Sequence, residues 1–197
     1  MSEQLNDLKN EERAFVWYSA TTGFADRAPD GIRGILSGSF DPLHRGHLGL
    51  AQTAAKILQG NVAFELSIHN VEKPAIDPSI VQQRLTQFAS HSVVLTNMPR
   101  FYEKSAVLAG HCFVVGADTA VRIVDDNFYE TKADLHRALD AIRWNGCWFL
   151  VAARQVGQQV LTLQDANIPS EFADLFEEIP ETDFRLDISS TQLRTES

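Results

Sequence analysis

The stretch Gly34-Ile35-Leu36-Ser37-Gly38-Ser39-Phe40-Asp41-Pro42-Leu43-His44-Arg45-Gly46-His47 decides how this chain is read. Its opening run is short and apolar and reads as a buried strand. The segment after it, Leu48 to Leu58, is apolar-rich and reads as a helix. Between them lies a strand-to-helix connection with a glycine at each end and two histidines near the helix start. A helix N-terminus offers unpaired backbone N–H groups and the positive end of the helix dipole, which together suit an anion. Two imidazoles placed there can donate hydrogen bonds to phosphate oxygens. Gly46 leaves a ligand free to approach the backbone, because it has no side chain. A histidine pair at this spacing also suits zinc. A zinc site needs a third and a fourth ligand, however, and none is spaced to supply them, so no protein-bound metal is expected.

Outward from this stretch the chain alternates. Strands are expected at about Arg33–Ser37, Val62–Ile68, Val93–Leu95, Cys112–Val115 and Trp148–Val151. Helices are expected from the histidine motif to Gln59, after Ser79 as a cap (with Val81, Leu85 and Phe88 on one face), over Ser105–Ala109 and over Ala133–Arg143. Ser170 is expected to cap a short helix holding Phe172, Leu175 and Phe176. Such alternation implies an α/β fold, a Rossmann-like doubly wound parallel sheet with helices on both faces. Ligands of such sheets sit at the carboxyl ends of the strands where strand order reverses, and the histidine stretch lies at such an end. Residues 1–30 read as an N-terminal helical extension, with Leu5, Leu8, Phe15 and Val16 on a partial apolar face. The turn signals Thr21-Thr22-Gly23-Phe24 and Ala28-Pro29-Asp30-Gly31 end it, and residues 31–197 form the main domain.

The totals bound the rest. A chain of 197 residues with 44% hydrophobic content can bury a sizeable core. A net charge of −9 argues against a broad basic face for nucleic acid but allows local binding of small anions. Cys112 and Cys147 lie in apolar runs and read as buried thiols of a reduced, intracellular protein. No apolar run is long enough for a membrane span, and the polar, acidic N-terminus does not look like a leader. Cytoplasmic location is the expectation, with the nucleus open, and neither a nucleic-acid nor a membrane partner is expected. A homo-oligomer is compatible with these totals.

The pattern Gly-x-Phe-Asp-Pro-x-His-x-Gly-His resembles the signature of the nucleotidyltransferase superfamily named for its His-x-Gly-His motif. A second stretch, Ile188-Ser189-Ser190-Thr191-Gln192-Leu193-Arg194, resembles the motif near the C-terminus of the same superfamily. The resemblance implies that His44 and His47 are the catalytic pair. It places Gly38, Ser39, Phe40, Gly46, Ser189, Ser190, Thr191 and Arg194 around the ATP phosphates. Independently, Ser189, Ser190 or Thr191 can cap a helix, and Arg194 about one turn on can offer phosphate a forked, permanently charged donor.

Three further stretches resemble the nicotinamide or nicotinate mononucleotide adenylyltransferase branch. In Val114-Val115-Gly116-Ala117-Asp118-Thr119, Gly116 and Asp118 would face the nucleotide and its ribose. Phe149-Leu150-Val151-Ala152-Ala153-Arg154 ends in an arginine for the ATP side. Asn70-Val71-Glu72-Lys73-Pro74 would bring Lys73 to the acceptor, and Arg84 on the next helix could also face it. That branch often has a tryptophan after the Gly-Ala-Asp strand, where this chain has Phe128-Tyr129.

The implied reaction is in-line attack of an acceptor phosphate on the α-phosphorus of ATP, giving NAD or deamido-NAD and pyrophosphate. Mg²⁺ would be carried by the ATP phosphates. Two alternatives stay open: a related adenylyl- or cytidylyltransferase with another phosphorylated acceptor, and an ATP-binding regulatory protein or weak ATPase.

Overall fold

The computed structural model describes residues 3–69 and 75–186. Its central parallel strands are β3 (Ile32–Ser37), β4 (Asn61–Ser67), β5 (Val93–Thr96), β6 (Cys112–Gly116) and β7 (Trp148–Val156). Before them come β1 (Phe15–Ser19) and β2 (Gly23–Ala25), and after them β8 (Gln159–Leu161), β9 (Phe176–Ile179) and β10 (Arg185–Leu186). The helices are α1 (Glu3–Lys9), α2 (Arg45–Leu58), α3 (Pro78–Leu85), α4 (Phe101–Val107), α5 (Ala117–Ile123) and α6 (Lys132–Trp144).

Among the described residues the strands form one ten-stranded mixed sheet in the order β10-β7-β6-β3-β4-β5-β1-β2, with β8 and β9 also paired to β7. This is the Rossmann-like α/β arrangement. Side chains alternate across the central strands. Leu36, Phe64, Leu66 and Leu95 enter one core together with Leu50 and Ala54 of α2, Val81 and Leu85 of α3, and Leu5 and Leu8 of α1. Ile35, Ala63, Val94 and Phe113 enter the other, with Ala120 of α5 and Leu135, Leu139 and Ile142 of α6. Continuous burial along β5 and β6 follows from helices covering both faces. Strand order reverses between β3 and β6, so the crevice between their carboxyl ends is the expected ligand position.

The N-terminal segment differs from the helix expected over it. Only Glu3–Lys9 is helical, and Phe15 and Val16 belong to β1. β1 pairs antiparallel with β5, and β2 with β1. Phe15-Val16-Trp17 is too short an apolar run to show its period, and the edge of β5 offers backbone partners that a helix would leave unused. Ala20, Thr21 and Thr22 thus form a hairpin turn between Ser19 and Gly23.

Other boundaries shift for local reasons. The cap of α3 is Asp77, whose carboxylate accepts from Ser79 N at 2.9 Å, with Pro78 in the first turn, so Ser79 is not the cap. α4 starts at Phe101, four residues before the expected Ser105, because Glu103 reaches back to Arg100 N at 2.9 Å. Residues Ser170–Leu175 are a 3-10 helix, and Phe176 opens β9 and stacks on Phe149 at 4.8 Å.

Both cysteines are buried free thiols. Burial pushes Cys112 up to about 12 and raises Cys147. Among the described residues no helix is long and apolar enough to cross a membrane.

Candidate active site

His44 is the N-cap of α2, in extended backbone, and His47 lies one turn inside it. Their rings stack at 3.7 Å between centroids. The two backbones are tied as well, with His47 N donating to His44 O at 3.0 Å. His44 N donates to His47 Nδ1 at 3.3 Å, which fixes the tautomer. A neutral imidazole that accepts at Nδ1 carries its proton on Nε2, so His47 presents an Nε2–H donor.

Both rings are neutral at physiological pH. Burial holds His47 far below the usual imidazole range, at about 3, with neighbouring His44 and Arg154 adding to the effect. His44 is lowered by burial and then by Arg154. His44 is only 8% exposed, and among the described residues neither of its buried ring nitrogens has a hydrogen-bond partner. Leaving such groups unsatisfied costs on the order of 1–3 kcal/mol, which a ligand at this position would recover.

The loop before the helix is shaped around Phe40, whose φ is +46° and whose ring is fully buried. That ring packs edge-on against His47 at 4.9 Å, Phe64 at 5.3 Å and Phe88 at 5.3 Å. Phe40 therefore serves the site as a wedge behind His47, its ring turned away from solvent. Gly38 must lack a side chain, since a Cβ there would lie 2.9 Å from the Phe40 ring.

Gly116 ends β6 opposite Ala152 of β7, and this register brings Asp118 and Arg154 together. Arg154 Nη1 lies 3.2 Å from each Asp118 oxygen. A Cβ on Gly116 would sit 2.6 Å from Asp118 Oδ1 and 3.1 Å from Arg154 Cδ. The sequence presents these three residues in two separate motifs, and the fold makes them one unit. The Arg154 charge also acts on His44 and His47, lowering the pKa of both.

Arg84 is placed differently from a residue waiting for an acceptor. Its Nη1 donates to Ser39 O at 3.0 Å and its Nη2 to Asp41 Oδ2 at 2.9 Å. Gln87, which no sequence motif marks, accepts from Leu43 N at 2.8 Å and donates to Phe40 O at 3.2 Å.

A buried polar cluster lies at the carboxyl ends of β4 and β5. Thr96 Oγ1 donates to Glu65 Oε1 at 2.6 Å, and Lys104 Nζ to Glu65 Oε2 at 2.8 Å. On the α4–α5–α6 face, a cavity of about 190 Å³ is lined by Arg100, Tyr102, Thr119, Arg122, Phe128 and Tyr129 among others. Tyr129 donates to Ile123 O at 2.7 Å, and the Arg122 guanidinium lies 5.0 Å from the centre of the Phe128 ring. Lys73, Ser189, Ser190, Thr191 and Arg194 lie outside the described residues. Leu186, the last described one, pairs in parallel with Arg154.

A strand-end crevice holding a histidine pair at a helix start defines a nucleotide-handling α/β protein. The chain belongs to the Cytidylyltransferase-like family, whose model matches residues 35–196. Membership supports a nucleotidyltransferase activity in general terms. Comparison with curated proteins finds no match.

Proposed function

We propose that the protein transfers AMP from ATP to the phosphate of nicotinamide or nicotinate mononucleotide, releasing pyrophosphate and forming NAD or deamido-NAD. The observation that carries this reading is the His44 imidazole, buried, without a hydrogen-bond partner among the described residues and stacked on His47 at the start of α2, beside the β3/β6 switch point. A nucleotide phosphate supplies the oxygens these groups lack.

In this reading the chain acts by position and charge, because the attacking phosphate is already anionic and needs no base. His47 Nε2–H and one N–H of His44 donate to phosphate oxygens as negative charge builds on them. Asp118 receives a ribose hydroxyl, which releases the Arg154 guanidinium toward phosphate. Ser189, Ser190, Thr191 and Arg194 hold the leaving pyrophosphate. The chain leaves β10 at Leu186, two residues before Ile188 and beside Arg154, in keeping with that assignment. The acceptor enters near Lys73. Tyr102 and Tyr129, flanked by Arg100, offer ring faces and positive charge for an anionic pyridine nucleotide. Magnesium arrives on the nucleotide, held by phosphates and water. Among the described residues no three His, Cys, Asp or Glu side chains cluster as a metal site.

The test is pyrophosphate release with Mg²⁺, pairing ATP or CTP with nicotinamide mononucleotide, its deamido form, or phosphopantetheine. Release that requires ATP and a pyridine mononucleotide is expected. Release with CTP or phosphopantetheine alone would move the chain to another branch of its family. No release from a protein that binds ATP would overturn the transferase reading.

A further inference from the structure

The loop Gly38–Leu43 carries the histidines into place. The backbone hydrogen bonds that anchor the region lie at its two ends, from Gly38 N to Glu65 O and from His47 N and Leu48 N to His44 O. Between these ends the chain turns through Phe40 at a φ that L-residues rarely adopt. Such a conformation persists only where the surroundings over-determine it.

Beside the ring packing of Phe40, two polar side chains reach this turn. Arg84 sits in the last turn of α3, and Gln87 follows one turn later in the short 3-10 helix Thr86–Phe88. Arg84 grips Ser39 O and the Asp41 carboxylate, while Gln87 grips Phe40 O and Leu43 N. Four loop residues, Ser39, Phe40, Asp41 and Leu43, are therefore held by these two side chains. Gln87 Nε2 also donates to Arg84 O at 3.3 Å, which links the two grips. Phe88, next in the chain, packs edge-on against Phe40 from the same short helix. Leu43 N is one residue from His44, so Gln87 sets where the first histidine begins.

We propose that Gln87 and Arg84 are positioning residues: together they clamp the Ser39–Leu43 backbone and so aim the His44–His47 pair at the bound phosphate. The functional half of this inference rests on the nucleotide reading of that pair. It gives Arg84 a different task from the acceptor contact its place in the sequence suggests. Arg84 acts on the loop, and the loop acts on the ligand.

The test compares Gln87→Met, which keeps the length of the side chain and removes both polar grips, with Gln87→Glu, which keeps the acceptor for Leu43 N. Gln83→Met, exposed on α3 one turn earlier, serves as the control. Two readouts are taken, the ¹⁵N resonances of the His47 imidazole without ligand and the affinity for MgATP. In Gln87→Met the His47 Nδ1 resonance is expected to lose its hydrogen-bonded shift. MgATP affinity is expected to fall about ten- to a hundred-fold, the scale expected when a hydrogen bond to a charged group is lost. Gln87→Glu should lie between Gln87→Met and the wild type, and Gln83→Met should match the wild type. Unchanged His47 resonances and unchanged affinity in a folded Gln87→Met protein would overturn the clamp. If the resonances move but the wild-type protein binds no MgATP, the clamp stands as a structural device and the nucleotide reading falls.

Discussion

The two sides of the crevice are prepared for a ligand in opposite ways. On the β3 side, both nitrogens of the His44 ring are buried and have no partner among the described residues, and the loop behind them is clamped. On the β6–β7 side, Asp118 and Arg154 satisfy each other, and both stay partly exposed. The first side is fixed in shape with hydrogen-bonding capacity left over. The second holds its charges in a pair that a ligand must exchange. A preorganised donor set keeps its geometry through a reaction, whereas an exchangeable pair responds to what is bound.

The sharpest way to break this contrast is to remove one preorganised donor. His47→Ala should cost about a hundred- to a thousand-fold in the rate of pyrophosphate release, the range seen for loss of one donor to a developing anion. The fold should survive, because the Phe40 ring that His47 covers still packs against Phe64 and Phe88. A fully active His47→Ala protein would sink the role given to the pair.

The exchangeable side should respond more mildly. Gly116→Ala places a Cβ 2.6 Å from Asp118 Oδ1 and forces the carboxylate aside. The displaced atoms are the ends of flexible side chains, so the melting temperature should move little. Nucleotide affinity should fall about ten-fold, as expected for one lost hydrogen bond to a charged group. A large loss of stability with unchanged affinity would mean that Asp118 and Arg154 form a structural pair only.

The same contrast explains what could be read from the sequence. The β3–loop–α2 unit is legible because its signals are local: an apolar run, bracketing glycines and histidines at helical spacing. Gly116, Asp118 and Arg154 are each legible, but their union depends on the register of β6 against β7, which no local pattern states. Gln87 is legible only as an amide one turn after Arg84. Its partner Leu43 N lies 44 positions away, and a backbone N–H leaves no mark in a sequence. The strand Phe15–Ser19 was obscured by its shortness, since its pairing partner β5 comes far later in the chain. The C-terminal motif is the reverse case, plain in sequence and outside the described residues.

The smallest expected effect concerns charge reaching across the crevice. Burial is the main reason His47 stays neutral, and Arg154 is a lesser one. Between about pH 3 and pH 6.5 the unfolded chain binds a proton at this residue that the native protein refuses. Stability from this group is therefore lost as pH falls through that window and is constant above it. Replacing His47 with Asn should flatten that part of a plot of melting temperature against pH. Arg154→Met should leave the plot nearly intact and move the His47 titration up modestly, still well below 6.5, because the burial remains. NMR titration of the imidazole resonances reads both. If His47 of the wild-type protein titrates near 6.5, it is not shielded as described, and the β3 side is as responsive as its neighbour. If Arg154→Met carries the titration all the way to 6.5, charge outweighs burial. The two sides would then be one electrostatic unit with a shared response to ligand.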